Sequence, residues 1–203
     1  FGHSVIQGAA FSNTNGSTWT GQVNFPGASS FDKNLSAVDD VTGSPFFGRA
    51  YTVWTNFGGA FFNRIVISFT TDGGVTWSTA APVSPPQSTG HHHQGCDVRV
   101  GPGGVVHVVW ANCTTNGQNS TEDSLGYARS TDGGVTWAFS SNHVVNMNGI
   151  RTSNLVNGIR CNGFPRLDID KTGGPRNGWL YVVAAEKNFA PAQSEERRIG
   201  KEC

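Results

Sequence analysis

The sequence predicts an all-β fold assembled from a repeated four-stranded antiparallel unit, and three observations carry that expectation. The chain has 203 residues, with 27 glycines and only 14% charged side chains. Val, Thr, Trp and Phe outnumber Leu, Glu, Lys and Met, a balance that favours strands joined by tight turns. The heptapeptide Thr-Asp-Gly-Gly-Val-Thr-Trp occurs at 71–77 and again at 131–137. Three segments, 36–54, 98–110 and 167–184, each read as strand, Gly/Pro turn, strand.

The elements follow in order. A weaker copy of the heptapeptide motif runs from Ser12 to Trp19, with Thr14 where the others carry Asp. Its tryptophan and those of the two full copies, Trp77 and Trp137, recur about every sixty residues, the mark of one structural unit per interval. Inner strands start near Leu35 and Asp97, and second strands end near Trp54 and Trp110. Alternation is clear in Tyr51–Trp54 and His107–Trp110. Tyr51, His107 and Tyr181 fall at one repeat position, and Trp54 and Trp110 at another, where Ala184 stands in the third copy. Third strands are expected at 64–69 and 124–129, each followed by a heptapeptide turn and a fourth strand.

In each turn the Asp carboxylate accepts backbone amides, the glycines take positive φ, and the Trp folds back as an apolar lid. This pattern, Ser/Thr-x-Asp-x-Gly-x-x-Trp, resembles the Asp box (BNR repeat) of sialidases and related β-propellers, including exported bacterial exo-alpha-sialidase-like proteins. The structural members of the motif here are Asp72, Gly74 and Trp77, then Asp132, Gly134 and Trp137. The resemblance implies a propeller of four-stranded blades, six when complete. Residues 1–192 then supply the end of one blade, two whole blades and the first half of another. The turn aspartates are structural and are assigned no catalytic role.

In such a blade, alternate connections lie on opposite faces. The Asp boxes share one face with the short turns at 43–48, 101–104 and 171–178. The other face takes the longer connections at 55–63, 78–95, 111–123 and 138–163, where binding residues on rigid scaffolds concentrate. In sialidases the active site also lies on the face away from the Asp boxes. His91 and His93 stand in one of these loops as sugar contacts, beside Asp97. A metal at His91, His93 and Asp97 is the competing reading, but adjacent histidines lack zinc-motif spacing and no metal or cofactor is assigned. Aligning inner strands matches Leu35 with Asp97 and Arg166, and Ala37 with Arg99 and Asp168. Charges that vary at one repeat position are poor scaffold, and guanidinium forks at strand mouths suit a sugar carboxylate. Arg151 and Arg160 come from the adjacent loop. Local pairing of Asp97 with Arg166, or Arg99 with Asp168, explains the same residues without a ligand.

The resemblance implies two functions. One is an exo-glycosidase releasing terminal sialic acid, with Arg99, Arg160 or Arg166 as carboxylate grips and Asp32 as the candidate acid. Sialidases add a Tyr nucleophile activated by a Glu, and an Arg-Ile-Pro motif that this sequence does not contain; Phe164–Asp168 only echoes it. The other is a non-catalytic glycan- or protein-binding propeller of a secreted or cell-surface protein. The partner expected in both is the terminal sugar of a glycan. A formal charge of zero argues against a nucleic-acid surface, and no apolar run reaches membrane-spanning length.

Cys96 opens an inner strand and Cys113 closes its hairpin partner, so a Cys96–Cys113 disulfide is expected, with Cys161 as competitor and metal ligation or free thiols as the alternatives. That pairing and the composition fit an oxidising, exported setting. Sequons at Asn34, Asn112 and Asn119 matter only in a eukaryotic host. The chain opens on Phe1 within an apolar segment. Its last ten residues, Ser194–Cys203, turn abruptly charge-dense and resemble the translation of a sequencing adapter, so a tail at 193–203 is expected to be non-native.

Overall fold

The computed structural model describes residues 7–26, 30–114, 121–151 and 161–187. The described residues are all-β, with two short 3-10 turns and no α-helix. The strands are β1 (Gly8–Ala9), β2 (Val23–Asn24), β3 (Phe31–Val38), β4 (Ala50–Asn56), β5 (Arg64–Thr70), β6 (Ala81–Pro82), β7 (His92–Val100), β8 (Val106–Cys113), β9 (Glu122–Ser130), β10 (Phe139–Asn146), β11 (Arg166–Ile169) and β12 (Leu180–Val183). Two antiparallel four-stranded sheets take the orders β3-β4-β5-β6 and β7-β8-β9-β10. Two-stranded sheets, β1-β2 and β11-β12, flank them.

Period-two alternation explains how the sheets stack. Tyr51 and Val53 face one way from β4, into a core shared with Cys96, Val98, Val106, Val108 and Trp110 of the next sheet. Trp54 faces the other way, onto Phe25 and Val66. The second sheet repeats this, with Val109, Ala111 and Cys113 turned toward Phe164 and Leu167. Both faces of β4, β5 and β8 are thus buried, whereas β3 alternates between half-buried and exposed positions. Gly126 pairs with Trp110 across β8 and β9 because any Cβ there would overlap the indole.

The two heptapeptide turns are built alike. Thr70 Oγ1 donates to Asp72 Oδ1 at 2.8 Å and accepts from the Gly74 amide at 2.9 Å. Ser130 repeats this toward Asp132 and Gly134 at 2.7 and 2.9 Å. In each, the Asp carboxylate takes the amide and hydroxyl of the Thr four residues on. Trp77 lies 4.6 Å from the Phe25 ring, and Trp137 packs on the core of the first full sheet. The Ser12–Trp19 turn keeps the architecture with a hydroxyl, since Thr14 Oγ1 accepts the Thr18 amide at 2.8 Å. Trp19 is 66% exposed.

Inner strands begin earlier than the sequence suggests. The loop expected at 78–95 contains β6 and the start of β7, so His92 and His93 lie in a strand. The one expected at 138–163 contains β10. The expected Cys96–Cys113 bridge is corrected. Cys113 pairs in register with His92, four residues before Cys96, and the two thiols lie free in different cores. Cys96 instead donates to the Lys33 carbonyl at 3.6 Å.

Candidate functional site

The first strands of successive sheets, β3, β7 and β11, run side by side, and their starting ends form the candidate site. β3 and β7 are both bulged there, between Asp32 and Leu35 and between Gln94 and Asp97. Lys33 (φ 57°) and Gly95 (φ 69°) take the left-handed turn at matching positions. The bulge re-aims the residue before it, so Asp32 and Gln94, equivalent in the repeat, meet across the two strands. Gln94 Nε2 donates to Asp32 Oδ2 at 2.6 Å. Lys33 Nζ stands 3.9 Å from Asp32 Oδ1, with both side chains about half exposed. A small cavity of ≈ 90 Å³ opens beside them, lined by Lys33, Asn34, Leu35, Gly95, Phe164 and Arg166. Arg166 is exposed at its rim.

Behind this mouth lies a buried polar chain. Arg151, 6% exposed, donates Nη1 to Gln94 Oε1, approaches His92 Nε2 at 3.4 Å and sits 5.8 Å from the Phe164 ring centre. Glu122, fully buried, accepts the backbone amides of Arg151 and Gly163 at 3.0 and 2.8 Å. Burial, reinforced by the Glu122 charge and opposed by Arg151, pushes the neighbouring Cys113 thiol up to about 12. It is an inert apolar thiol at neutral pH.

The remaining sequence candidates lie elsewhere. His93 points into the core, bonded to Ser84 Oγ at 2.6 Å and tilted over Trp110. Burial, with Arg64 adding to it, holds its imidazole well below the usual histidine range. His91 is half-buried in the turn before β7, its carbonyl taken by Asn63. Among the described residues no three His, Cys, Asp or Glu side chains cluster as metal ligands. Asp97 is fully buried and committed: Oδ1 takes the Val98 amide and Arg99, and Oδ2 takes the Leu167 amide at 3.0 Å. It ties β7 to β11, and its ion partner is Arg99 at 2.6 Å, not Arg166.

Arg99 lies nearer the other end of β7. Five residues separate it from Gln94, roughly 15 Å along a strand. It lines a second cavity of ≈ 340 Å³ at the opposite end, with Asp168, Asp40 and Lys171. There Lys171 Nζ meets Asp40 Oδ1 at 2.6 Å. Arg99 and Arg166 thus line different cavities. Arg160 lies outside the described residues. Of the expected set, the structure brings together Asp32, Arg151 and Arg166; it adds Lys33, Gln94, His92 and Glu122. A signal for part of this was present: shifting the aligned inner strands three residues earlier matches Asp32 with Gln94 and Gly163.

The mouth offers two exposed cations and one carboxylate around a small hollow, groups able to make charge-assisted hydrogen bonds to an anion. The tyrosines are elsewhere. Tyr51 is buried, its hydroxyl pushed up to about 12 by desolvation, Tyr127 bonds His107, and Tyr181 pairs with Asp168 on β11.

No family model matches the chain, and no curated protein matches it. Solved structures do. The chain is similar to the intramolecular trans-sialidase from Ruminococcus gnavus in complex with oseltamivir carboxylate, with 15% identity and a TM-score of 0.48 over 90% of this chain and 37% of that one. It is similar also to the NanB sialidase from Streptococcus pneumoniae, with 16% identity and a TM-score of 0.46 over 89% of this chain and 26% of that one. The chain thus spans well under half the length of either.

Proposed function

We propose that this chain is part of an exported, sialidase-like Asp-box β-propeller protein directed at glycans, and that the mouth of β3, β7 and β11 binds an acidic terminal sugar. The supporting observation is the pair of exposed cations, Lys33 and Arg166, lining one cavity beside Asp32. In the propeller reading, the two four-stranded sheets are blades, and this mouth is the face away from the TDGGVTW turns. The Arg166 fork takes the sugar carboxylate in two parallel bonds, Lys33 supplies a second charge, and Asn34 orients hydroxyls.

The reading is tested by titrating the chain with sialic acid and with neutral galactose. Binding of the acidic sugar alone is expected. Arg166→Ala should weaken it by about 1.5–3 kcal/mol, the worth of hydrogen bonds to a charged group. Arg166→Lys should recover only part of that loss, since an ammonium cannot present a planar fork. An Arg166→Ala variant that melts earlier yet binds as before would make Arg166 structural and sink the proposal.

Catalysis is the second reading, and its supporting observation is Asp32, whose carboxylate is part-exposed at the mouth. It needs a nucleophile that the described tyrosines do not provide at this end. Release of free sialic acid from a sialoside, abolished by Asp32→Asn, is the outcome that separates an exo-glycosidase from a glycan-binding module.

A further inference from the structure

Glu122, the first residue of β9, has no task in sugar contact, yet its burial is complete. An ionised carboxylate out of water is costly unless strong partners compensate it. Its partners are unusual in their origin: Oε2 accepts the Arg151 amide and Oε1 the Gly163 amide. One carboxylate therefore holds both ends of the connection from β10 to β11. The Glu122 carbonyl also takes the Gly149 amide at 2.9 Å, and a Cβ on Gly149 would overlap the carboxylate.

The residue so held is Arg151, whose guanidinium is bonded to Gln94 Oε1. A glutamine amide has one accepting end and one donating end. With its oxygen committed to Arg151, its NH2 turns to Asp32 Oδ2. The order Glu122, Arg151, Gln94, Asp32 then runs unbroken from the buried corner to the solvent-facing mouth. We propose that Glu122 is a positioning residue for Asp32, acting through Arg151 and Gln94. This rests on the mouth being the sugar site, as read above, only for its effect on affinity.

The test uses Glu122→Gln, which keeps volume but turns one acceptor into a donor facing an N–H. Hydrogen exchange is read by NMR at the Arg151 and Gly163 backbone amides and at the Gln94 side-chain NH2. All three should exchange at least about tenfold faster in the variant, with the β7 and β8 core amides unchanged. Acidic-sugar affinity should fall about tenfold or more, and Gln94→Ala should give the same loss without altering exchange at Arg151 and Gly163. Combining the two should add little, because they act along one path. If Glu122→Gln does not fold, Arg151→Lys interrupts the same path one residue later and should release the Gln94 NH2 alone. Unchanged exchange at the Gln94 NH2 in both variants overturns the proposal. So does faster exchange with wild-type affinity. If the wild-type chain binds no acidic sugar, the sugar reading fails by itself, and the Gln94 NH2 still decides whether Glu122 positions this end of the site.

Discussion

Single side chains decide the turns. Asp72 is held at about 2 by the Thr76 hydroxyl and amide, with Thr70 adding to them. For Asp132, burial pulls upward, but Thr136, Ser130 and the Val135 amide outweigh it and also leave it at about 2. Both carboxyls lie lower in the folded chain than the ordinary value of 3.8, so the unfolded chain takes protons first. Their contribution is complete above about pH 4 and lost as pH falls toward 2. Asp132→Ala should cost about 1–3 kcal/mol by leaving turn amides without an acceptor. Urea melts at pH 7 check this, and a variant as stable as the parent would refute the turn's role. The same melts should show Gly126→Ala losing about 1–3 kcal/mol, through overpacking against Trp110.

At the scale of strands, the sequence was readable where local pattern and packing agree. The heptapeptides, the alternation in Tyr51–Trp54 and the Gly turns located the paired strands, because each signal lies within a few residues of what it specifies. The bulges in β3 and β7 were not legible. A bulge is one displaced residue, and it reverses which side chains face outward before it. Gln94 was thus hidden in a run of histidines, while His93 was expected at a surface that it does not reach. Glu122 was hidden differently: a Glu at a strand start reads as solvated, and only its contact with amides 29 and 41 residues further on gives it a role. The disulfide expectation failed because register, rather than nearness to strand ends, decides which residues oppose. Mapping the non-reduced chain by mass spectrometry should accordingly find no Cys96–Cys113 peptide, and finding one would require β7 to slide against β8.

The stacked sheets make the whole molecule sensitive to a proton that no single strand reveals. His107 on β8 is buried between sheets, with Nδ1 at 2.8 Å from the Tyr127 hydroxyl and the two rings stacked. Burial, aided by the positive charge of Arg129, lowers its imidazole to about 4 from the ordinary 6.5. The folded chain therefore keeps His107 neutral where the unfolded chain is already protonated. Unfolding takes up a proton between those two values, so stability falls as pH drops from about 6.5 to 4 and then levels for this group. The span corresponds to about 3 kcal/mol, a large share of the stability of a small domain. His93, lowered by burial in the same direction, steepens the decline below 6.5. Denaturant midpoints recorded from pH 7.5 to 4 should fall steadily. His107→Gln, uncharged throughout, should flatten part of that slope even if it lowers the plateau at pH 7.5. Equal slopes in parent and variant would mean that the imidazole is charged, or open to water, within the folded sheets.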